Sequence, residues 1–339
     1  MRILLTGSAG FIAGYLVPEL LEAGHTVVGI DNFEKYGKLT KSYDGHPRYE
    51  LTTGDVRDTD LLVKLGTGAD VVIAAAAKIG GISYFHKYAY DLLAENERIV
   101  ASTFDAALRL YRDKTLKRIV VVSSSMVFEN STVFPTPEGN ERVCPPPSST
   151  YGFQKLACEY FAQGAFQQYG LPYTIARPFN CVGIGEARAL GDADIPSGNV
   201  KLAMSHVVPD LCQKALKGQD PLHILGDGEQ VRHYTYGGDL ARGIRLALES
   251  DATVNDDFNL STDVGTNVRE LASVIWQKVH GDRPLRLVHD TPFEHDVQRR
   301  IPDTRKAERV LGFRAQTSLS DMLDEVIPWI RQAIASGLI

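Results

Sequence analysis

Short, uninterrupted apolar runs alternate with longer stretches of helical periodicity along the first half of the chain. The runs lie near Ile3, Val71 and Val120 and at residues 26–31 and 173–178. Because their apolar residues are consecutive rather than alternating, they are typical of strands covered on both faces of a sheet. Helical periods fill the gaps, for example at residues 11–21 and 95–110. The repeated strand–helix order predicts an α/β fold with a doubly wound parallel sheet and right-handed crossovers.

The second half of the chain mixes further helices with short strands and loops. Residues 129–150 are rich in Pro, Ser and Thr, which predicts a surface loop before a helix that opens at Tyr151. Residues 183–199 carry glycines and few periodic apolar positions, and a long loop of this kind in a compact domain is often functional. Further helices are expected at residues 202–216, 239–248, 268–279 and 319–334.

Composition and charge exclude several kinds of protein. Of the chain's 339 residues, 44% are hydrophobic and 23% are charged, which is an ordinary composition for a globular protein. A chain of this length is long enough to form two lobes. Its net charge of -6, without a basic cluster, argues against nucleic acid as a partner. The longest apolar run, residues 69–77, is too short to cross a membrane, and the first residues lack a signal-peptide pattern. We therefore expect a cytoplasmic protein with no membrane partner.

The cysteines and histidines show no metal-binding spacing. Cys144, Cys158, Cys181 and Cys212 are scattered without a CxxC pair, and the 9 histidines form no HExxH or HxxxH pattern. Buried thiols in a reducing compartment are the interpretation that we favour over disulfides, and we expect no metal site.

A glycine-rich turn follows the first predicted strand and opens a helix. Gly7 and Gly10 match the GxxGxxG spacing, and the third position holds Ala13, which is small enough for close helix–sheet packing. Such a turn lets backbone N–H groups approach a pyrophosphate. Asp31 ends the second strand, where a carboxylate binds the adenosine ribose hydroxyls and repels a 2′-phosphate. The pattern favours NAD over NADP; the alternative is that Asp31 and Asn32 only cap a strand.

Tyr151 is the only one of 14 tyrosines with a lysine, Lys155, four residues later. On a helix this spacing places both side chains on one face. The ammonium and a cationic nicotinamide would both favour the phenolate, so Tyr151 is a candidate base, and Lys155 can also hold the nicotinamide ribose. Ser123, Ser124 and Ser125 follow an apolar run, and open α/β sheets bind ligands at the C-terminal ends of strands. An exposed surface pair is the alternative for YxxxK alone, but the order of these motifs fits a hydride-transfer site.

Together with further motifs, these residues make the chain similar to the NAD-dependent epimerase/dehydratase family of extended short-chain dehydrogenases. The matching segments are TGSAGFIAG from Thr6, GDVRD from Gly54, VVIAAAA from Val71, SSSMVF from Ser123, YGFQK from Tyr151, ARPFN from Ala176, GDGEQVRHYTYGGDLA from Gly226 and RRIPDTRKAERVLGF from Arg299. The resemblance implies a Rossmann-type sheet with a smaller mixed α/β substrate-binding domain. We expect the NAD-binding domain in residues 1–179, with a segment near 234–260 returning to it, and the nucleotide-sugar-binding domain in residues 180–339.

The resemblance assigns roles to individual residues. Ser124, Tyr151 and Lys155 match the catalytic residues, with Ser125 a second candidate for the hydroxyl. The residues matched to the cofactor are Gly7, Gly10, Phe11, Ile12, Asp31, Asn32, Asp55, Val56, Ala75, Ala76, Ala77, Asn96, Ser123, Tyr151, Lys155 and Pro178. The residues matched to the nucleotide sugar are Lys78, Ser124, Ser125, Tyr151, Phe179, Asn180, Val200, His206, Arg232, Asp296, Arg299 and Arg300. Arg232 is expected to grip the diphosphate, since a guanidinium suits paired phosphate oxygens; a surface salt bridge is the alternative.

Positions at which the chain departs from the patterns of its relatives reduce the number of reactions that it can catalyse. In the family, the tyrosine takes a proton from a sugar hydroxyl, usually at C4, while a hydride passes to NAD and leaves a 4-keto sugar. Ser125 and Met126 stand where the dehydratases carry Asp-Glu, the decarboxylases tend to carry Glu at Met126, and the GDP-fucose synthases carry Cys there. Methionine cannot move a proton. The resemblance therefore implies a nucleotide-sugar 4-epimerase, acting on a UDP-hexose or UDP-hexuronic acid, that retains and regenerates NAD.

Several alternatives stay open. A 4,6-dehydratase, a decarboxylase and a 4-ketoreductase share this site, and a dinucleotide-sensing regulator could keep the fold without the chemistry. Residues 78–82 and 205–209 resemble the GDP-fucose synthase pattern, in which the histidine, here His206, is an acid. Phe293 stands where many relatives have an arginine, for which Arg299 or Arg300 could compensate. Family members are commonly homodimers, and we expect the same here.

Overall fold

Fifteen strands and nine helices make up the part of the chain that the computed structural model describes, namely residues 1–79, 88–186, 195–197, 200–202, 206–292 and 297–339, with 195–197 and 200–202 as backbone only. The strands are β1 (Arg2–Thr6), β2 (Thr26–Asp31), β3 (Tyr49–Thr53), β4 (Val71–Ala74), β5 (Arg118–Val122), β6 (Tyr173–Pro178), β7 (Cys181–Val182), β8 (Ile195–Ser197), β9 (Val200–Leu202), β10 (Leu222–Leu225), β11 (Val231–Arg232), β12 (Thr235–Tyr236), β13 (Asp256–Leu260), β14 (Thr266–Asn267) and β15 (Leu287–Asp290). The helices are α1 (Phe11–Glu22), α2 (Thr59–Gly66), α3 (Ala89–Arg112), α4 (Thr150–Tyr169), α5 (Val207–Leu216), α6 (Gly237–Glu249), α7 (Val268–His280), α8 (Arg305–Leu311) and α9 (Leu319–Ala335).

The main sheet has seven strands in the order β13-β6-β5-β4-β1-β2-β3, and every neighbouring pair is parallel. The strand order reverses between β1 and β4, where Thr6 lies opposite Ala74. In a sheet of this kind a crevice opens outside the C-terminal ends of the strands at the reversal. The predicted doubly wound parallel sheet is therefore confirmed, and it places the glycine-rich turn at the expected crevice.

Successive strand residues face opposite sides of the sheet, so each side has its own apolar core. Ile3 and Leu5 of β1 pack with α1 and α6 on one face, whereas Leu4 packs with α2, α3 and α4 on the other. Both faces are covered, which explains why the strands read as continuous apolar runs rather than as alternating ones.

A third apolar core lies in the C-terminal part of the chain. It is built from α5, α7 and α9 around the fully buried Trp276, with β10 at its side. β10 pairs in parallel with β15, and strands of two or three residues form the remaining small pairs. The chain nevertheless returns to the main sheet at β13, which pairs with β6.

Two predicted segments differ from the structure. The helix expected at 202–216 begins at Val207, because residues 200–202 form β9, which pairs antiparallel with β8 inside the predicted loop at 183–199. The prediction of a surface loop at 129–150 is wrong in its middle, since Thr136, Asn140 and Glu141 are buried there. Backbone hydrogen bonds join Thr136 to the chain at residues 301 and 303, which covers this stretch.

No helix within the described ranges combines the length and the apolar character that crossing a bilayer requires. The four cysteines are free thiols. In the same part of the chain, no group of three or more His, Cys, Asp or Glu side chains is arranged to hold a metal ion.

Candidate active site

The glycine-rich turn lies in the crevice between β1 and β4. Gly7 has a φ of +72°, and a Cβ there would lie 2.8 Å from the Cα of Ala76, so only glycine lets the turn pass this close to the segment after β4. Gly10 precedes α1, whose first residues are Phe11 and Ile12, and no described side chain caps this helix. The N–H groups of the first turn can therefore bind an anion, assisted by the helix dipole. This cradle fits the pyrophosphate of a dinucleotide.

Asp31 stands at the C-terminal end of β2 beside the same turn. One carboxylate oxygen accepts the N–H of Ala9 at 3.0 Å, and the other accepts the N–H of Phe33 at 2.7 Å. Each oxygen has a further lone pair, so the fixed carboxylate can still accept ribose hydroxyls. Asn32 next to it accepts the N–H of Glu34 through Oδ1 at 3.0 Å. Asp31 thus both orders the turn and fits the ribose of NAD.

Asp55 and Val56 follow β3 and are held by neighbouring side chains. The guanidinium of Arg57 donates to Asp55 through Nε at 3.0 Å, and this hydrogen bonding lowers the pKa of the Asp55 carboxyl below its ordinary value. The carbonyl of Val56 accepts the hydroxyl of Ser102 from α3 at 2.7 Å. Both predicted cofactor contacts are therefore held in place, Asp55 through its side chain and Val56 through its carbonyl.

Residues 75–78 form the wall opposite the glycine-rich turn. The N–H groups of the first two residues in this wall both donate to Thr6 Oγ1 at 3.1 Å. Asn96 is fully buried, and its amide accepts the N–H of Lys78 at 2.7 Å and donates to the Lys78 carbonyl at 2.8 Å. The ammonium of Lys78 pairs with Glu34 at 2.8 Å. Asn96 therefore shapes the cofactor wall through the backbone of Lys78.

Tyr151 and Lys155 lie one turn apart on α4, and both are buried. Lys155 Nζ donates to the carbonyl of Val122, the last residue of β5, at 3.0 Å. The ring of Tyr151 packs with Met126, which belongs to the 3-10 turn after β5. A Cβ on Gly152 would lie 2.8 Å from the Met126 carbonyl oxygen, so glycine permits this close approach. The phenol and the ammonium thus converge on the C-terminal end of β5.

The three serines after β5 have different environments. Ser123 donates its hydroxyl to Glu159 at 2.5 Å, inside the protein. Ser124 caps the 3-10 turn, where its Oγ accepts the N–H of Met126 at 3.2 Å. A hydroxyl that accepts one hydrogen bond still has a proton to donate, so Ser124 can also bind a substrate oxygen. Ser125 is the buried first residue of that turn. Ser124 therefore stays the predicted catalytic hydroxyl, with Ser125 as the second candidate.

A buried ion cluster behind the serines was not anticipated from the sequence. Arg177 of β6 is fully buried and donates to the two carboxylate oxygens of Glu159, each at 2.7 Å. It also pairs with Asp257 of β13, and Glu141 lies 3.3 Å away. Burial raises the pKa of Glu141, and the charge of Arg177 opposes this shift. Because Glu159 also holds Ser123, the cluster fixes the strand ends that carry the site. The sequence feature that could have indicated this cluster is the arginine within the apolar run at 173–178.

The start of α4 is fixed by Glu129, a second residue that sequence reasoning missed. One carboxylate oxygen of Glu129 accepts both the N–H and the hydroxyl of Ser149 at 2.9 Å. Ser149 Oγ then accepts the N–H of Gly152 at 3.0 Å, as the N-cap of the helix. These bonds orient the first turn of α4, which carries Tyr151.

Two predicted contacts lie where β6 ends: Pro178, predicted to contact the cofactor, is its last residue, and the buried Phe179, predicted to contact the nucleotide sugar, follows it. Asn180 Oδ1 accepts Nη1 of Arg300 at 3.3 Å, so the structure brings these two predicted contacts together. Arg232 on β11 is buried, and a parallel bridge joins the preceding residue to Arg299. The backbone segments that carry these three arginines therefore lie side by side.

Other predicted contacts lie at the margins of this region. His206 Nδ1 lies 2.5 Å from the buried carboxylate of Glu186, while the imidazole itself is 46% exposed. Val200 belongs to β9, which is described as backbone only. Asp296 and Phe293 lie outside the described residues, as do residues 80–82 and Ser205 of the motifs that resemble GDP-fucose synthases.

A pocket of about 380 Å³ lies between the chain after β5 and residues 297–299. Glu129, Ser148 and Arg299 are among its lining residues. Since Glu129 also fixes the start of α4, this pocket adjoins the helix end that carries Tyr151.

Comparisons with known proteins identify the family of this chain. The sequence model of the NAD dependent epimerase/dehydratase family matches residues 3–261. A putative UDP-glucose 4-epimerase of Methanocaldococcus jannaschii is 30% identical over 331 residues, 97% of this chain and 98% of that protein. A UDP-N-acetyl-alpha-D-glucosaminuronate decarboxylase of Bacillus cytotoxicus is 30% identical over 342 residues, 98% of each. The crystal structure of a UDP-glucuronic acid 4-epimerase from Bacillus cereus, in complex with UDP-glucuronic acid and NAD, has a TM-score of 0.81 at 26% identity and covers 98% of this chain and 99% of that one. The chain therefore belongs to the NAD dependent epimerase/dehydratase family.

Proposed function

We propose that the protein is an NAD-dependent nucleotide-sugar 4-epimerase that interconverts the C4 epimers of a UDP-hexose or a UDP-hexuronic acid. The observation that carries this proposal is the convergence of Tyr151, Lys155 and Ser124 on the end of β5, in the same crevice as the dinucleotide cradle. Hydride transfer needs this combination of a proton-transfer group and a nicotinamide site. The relatives named as 4-epimerases support the choice of reaction and of UDP.

In the proposed mechanism Tyr151 takes the proton of the C4 hydroxyl and later returns it. When bound, NAD supplies reversible hydride acceptance at C4. Ser124 donates a hydrogen bond to the reacting oxygen, and the ammonium of Lys155 stabilises negative charge that develops at this strand end. Arg232, with Arg299 and Arg300, would hold the diphosphate while the keto sugar turns over and presents its opposite face.

A decarboxylase is the strongest alternative, because the Bacillus cytotoxicus relative is as similar as the putative 4-epimerase. Met126 argues against decarboxylation and against 4,6-dehydration, since by the resemblance both reactions use an acidic residue there and a thioether moves no proton. A 4-ketoreductase would need a continuous supply of reduced cofactor. The buried Tyr151 and Lys155 pair argues against a regulator without catalysis.

Product analysis separates these reactions. Purified protein is incubated with UDP-glucose or with UDP-glucuronic acid, without added cofactor, and the sugars are identified by NMR. We expect an equilibrium mixture of C4 epimers from at least one of them. A lasting 4-keto product would indicate a dehydratase, release of carbon dioxide with a UDP-pentose a decarboxylase, and turnover only with added reduced cofactor a reductase.

Tyr151→Phe tests the assignment of the base. We expect turnover to fall by at least about 100-fold, the scale of general acid–base catalysis, while the NAD content of the purified protein stays unchanged. Tyr160→Phe is the matched control, because Tyr160 is an exposed tyrosine on the same helix and its loss should leave turnover intact. Normal turnover in Tyr151→Phe would remove Tyr151 from the mechanism.

We further propose that residues 1–179 and the segment near 234–260 form the NAD-binding domain, with the remaining residues of 180–339 forming the nucleotide-sugar-binding domain. The pairing of β13 with β6 supports the return of the chain.

We also propose a cytoplasmic homodimer. Phe153 and Tyr160 are exposed and seven residues apart on α4, so they share one helix face, and exposed aromatic residues are enriched in interfaces. Light scattering would report the mass of the assembly.

A further inference from the structure

Tyr15 of α1 inserts its ring between two glycines from distant parts of the chain. A Cβ on Gly183 would lie 2.2 Å from the Tyr15 hydroxyl oxygen, and a Cβ on Gly237 would lie 2.4 Å from a ring carbon. Gly183 follows β7, and Gly237 begins α6. The slot for this ring therefore exists only because both positions lack side chains, and it joins the helix of the dinucleotide cradle to the chain that follows β7.

A hydrogen bond and an aromatic contact fix the ring in this slot. The hydroxyl of Tyr15 accepts the N–H of Ile184 at 2.6 Å. The ring of Tyr236 contacts it edge-on at a centroid distance of 5.3 Å. Burial raises the pKa of the Tyr15 and Tyr236 hydroxyls well above their ordinary values. Both hydroxyls thus stay protonated, and the backbone contact is a neutral hydrogen bond throughout the working range of an enzyme.

The segment that Tyr15 holds lies between two predicted substrate contacts. Asn180 precedes it and bonds to Arg300 at 3.3 Å. Glu186 ends the described part of this segment, and its buried carboxylate lies 2.5 Å from His206. The hydrogen bond to the N–H of Ile184 therefore lies between two residues that are predicted to contact the nucleotide sugar.

We propose that Tyr15 is a positioning residue for the nucleotide sugar, holding residues 183–186 at a fixed distance from the dinucleotide cradle so that both flanking contacts reach one ligand. It touches neither the sugar nor the nicotinamide in this role. The inference rests on the proposed function for the identity of the ligand, but the hydrogen bond itself does not depend on that function.

Tyr15→Phe keeps the ring and removes only the hydroxyl, so the slot stays filled. We expect the KM for the UDP-sugar that the wild type converts to rise about fivefold, which corresponds to roughly 1 kcal/mol, the usual net worth of a neutral hydrogen bond. We expect kcat to stay within about twofold and the NAD content to be unchanged, because the cradle and the base are untouched. The dissociation constant for UDP, measured by calorimetry on the NAD-loaded protein, should rise in parallel. Hydrogen exchange at the amides of residues 181–186 should become faster.

Tyr43→Phe is the matched control. Tyr43 is a buried tyrosine, and its hydroxyl has no hydrogen-bond partner in the described part of the chain. This variant should leave the KM, kcat, the NAD content, the affinity for UDP and the hydrogen exchange of residues 181–186 unchanged. Gly183→Ala is a second, independent variant, since its Cβ displaces the ring and should also raise the KM. A Tyr15→Phe protein with a lower melting temperature but unchanged KM, UDP affinity and exchange would show a merely structural tyrosine and overturn the inference.

The two proposals fail separately. A wild-type protein that converts neither UDP-glucose nor UDP-glucuronic acid contradicts the proposed function. In that case UDP affinity and hydrogen exchange in Tyr15→Phe still decide whether Tyr15 positions the nucleotide-binding segment.

Discussion

Neighbouring residues of this site act at different distances from the chemistry. Ser123 and Ser124 have the same side chain and adjacent positions, yet Ser123 bonds to the buried Glu159 while Ser124 caps the turn beside Tyr151. The sequence indicates a hydroxyl at the end of β5 but cannot say which serine faces the crevice, because that depends on where Glu159 and Arg177 lie in the fold.

Exchanging each serine for alanine should separate the two roles. Ser124→Ala removes a hydrogen bond to the reacting oxygen, so we expect kcat to fall on the order of 100-fold with little loss of stability. Ser123→Ala leaves a buried carboxylate with one hydrogen bond fewer, so we expect roughly 2 kcal/mol less stability and near-normal kcat. Turnover assays and thermal unfolding of both proteins provide the comparison. The reverse pattern would exchange the two assignments.

Among the elements, α4 has the most demanding placement. Its N-terminal turn lies against the turn after β5, with Gly152 at the closest point, and only its last turn, residues 166–169, is exposed throughout. This closeness brings Tyr151 and Lys155 to the strand end, so the helix position and the catalytic geometry depend on each other.

Two glycine-to-alanine changes in α4 should have opposite effects. In Gly152→Ala the new Cβ would lie 2.6 Å from Pro147 Cβ and 2.8 Å from a backbone oxygen, so we expect a loss of about 1–3 kcal/mol. Turnover should fall on the order of 100-fold as the helix shifts. Gly164 meets nothing within 4 Å, so Gly164→Ala should add about 0.5–1 kcal/mol through helix propensity and leave kcat unchanged. Equal stability of the two variants would contradict this packing.

The success of sequence reasoning also differs among elements. β2 and β6 coincide with their predicted apolar runs, since burial on both faces leaves a continuous signal. The β8–β9 hairpin was missed because three-residue strands carry no readable period. Arg177, Glu159 and Glu141 gave no signal as a group, because charged residues far apart in the chain usually mark surfaces and only the fold brings them together.

On the scale of the whole molecule, one buried carboxylate, Asp239, connects a helix that packs on the main sheet to the chain that leads into the C-terminal core. Asp239 in the first turn of α6 accepts the N–H groups of Gln316 and Thr317 at 3.1 and 2.9 Å, just before α9. Arg242 donates to it at 2.8 Å. Burial alone would raise the pKa of Asp239, but these hydrogen bonds outweigh it and the pKa lies below its ordinary value.

Asp239→Asn should therefore destabilise the protein in a pH-dependent way. A carboxyl whose pKa is lower in the folded state stabilises the fold above its unfolded pKa, and this stabilisation disappears as the pH falls through the folded value. We expect the variant to be roughly 2 kcal/mol less stable at neutral pH and the difference to shrink below about pH 4. Urea unfolding at several pH values measures this. Asp105→Asn, at an exposed position of α3, should show no such trend; a difference for Asp239→Asn that ignores pH would refute the argument.

The late position of β13 in the chain has a consequence for biosynthesis. β6 leaves the ribosome well before β13, and until β13 arrives one margin of the main sheet exposes unpaired N–H and C=O groups to other nascent chains. Until then Arg177 also lacks its ion-pair partner Asp257, which belongs to β13. The main sheet, which forms the cofactor crevice, therefore cannot be completed before the chain between β6 and β13 has been synthesised. A polypeptide interrupted before residue 256 would be an aggregation-prone intermediate rather than a smaller working enzyme.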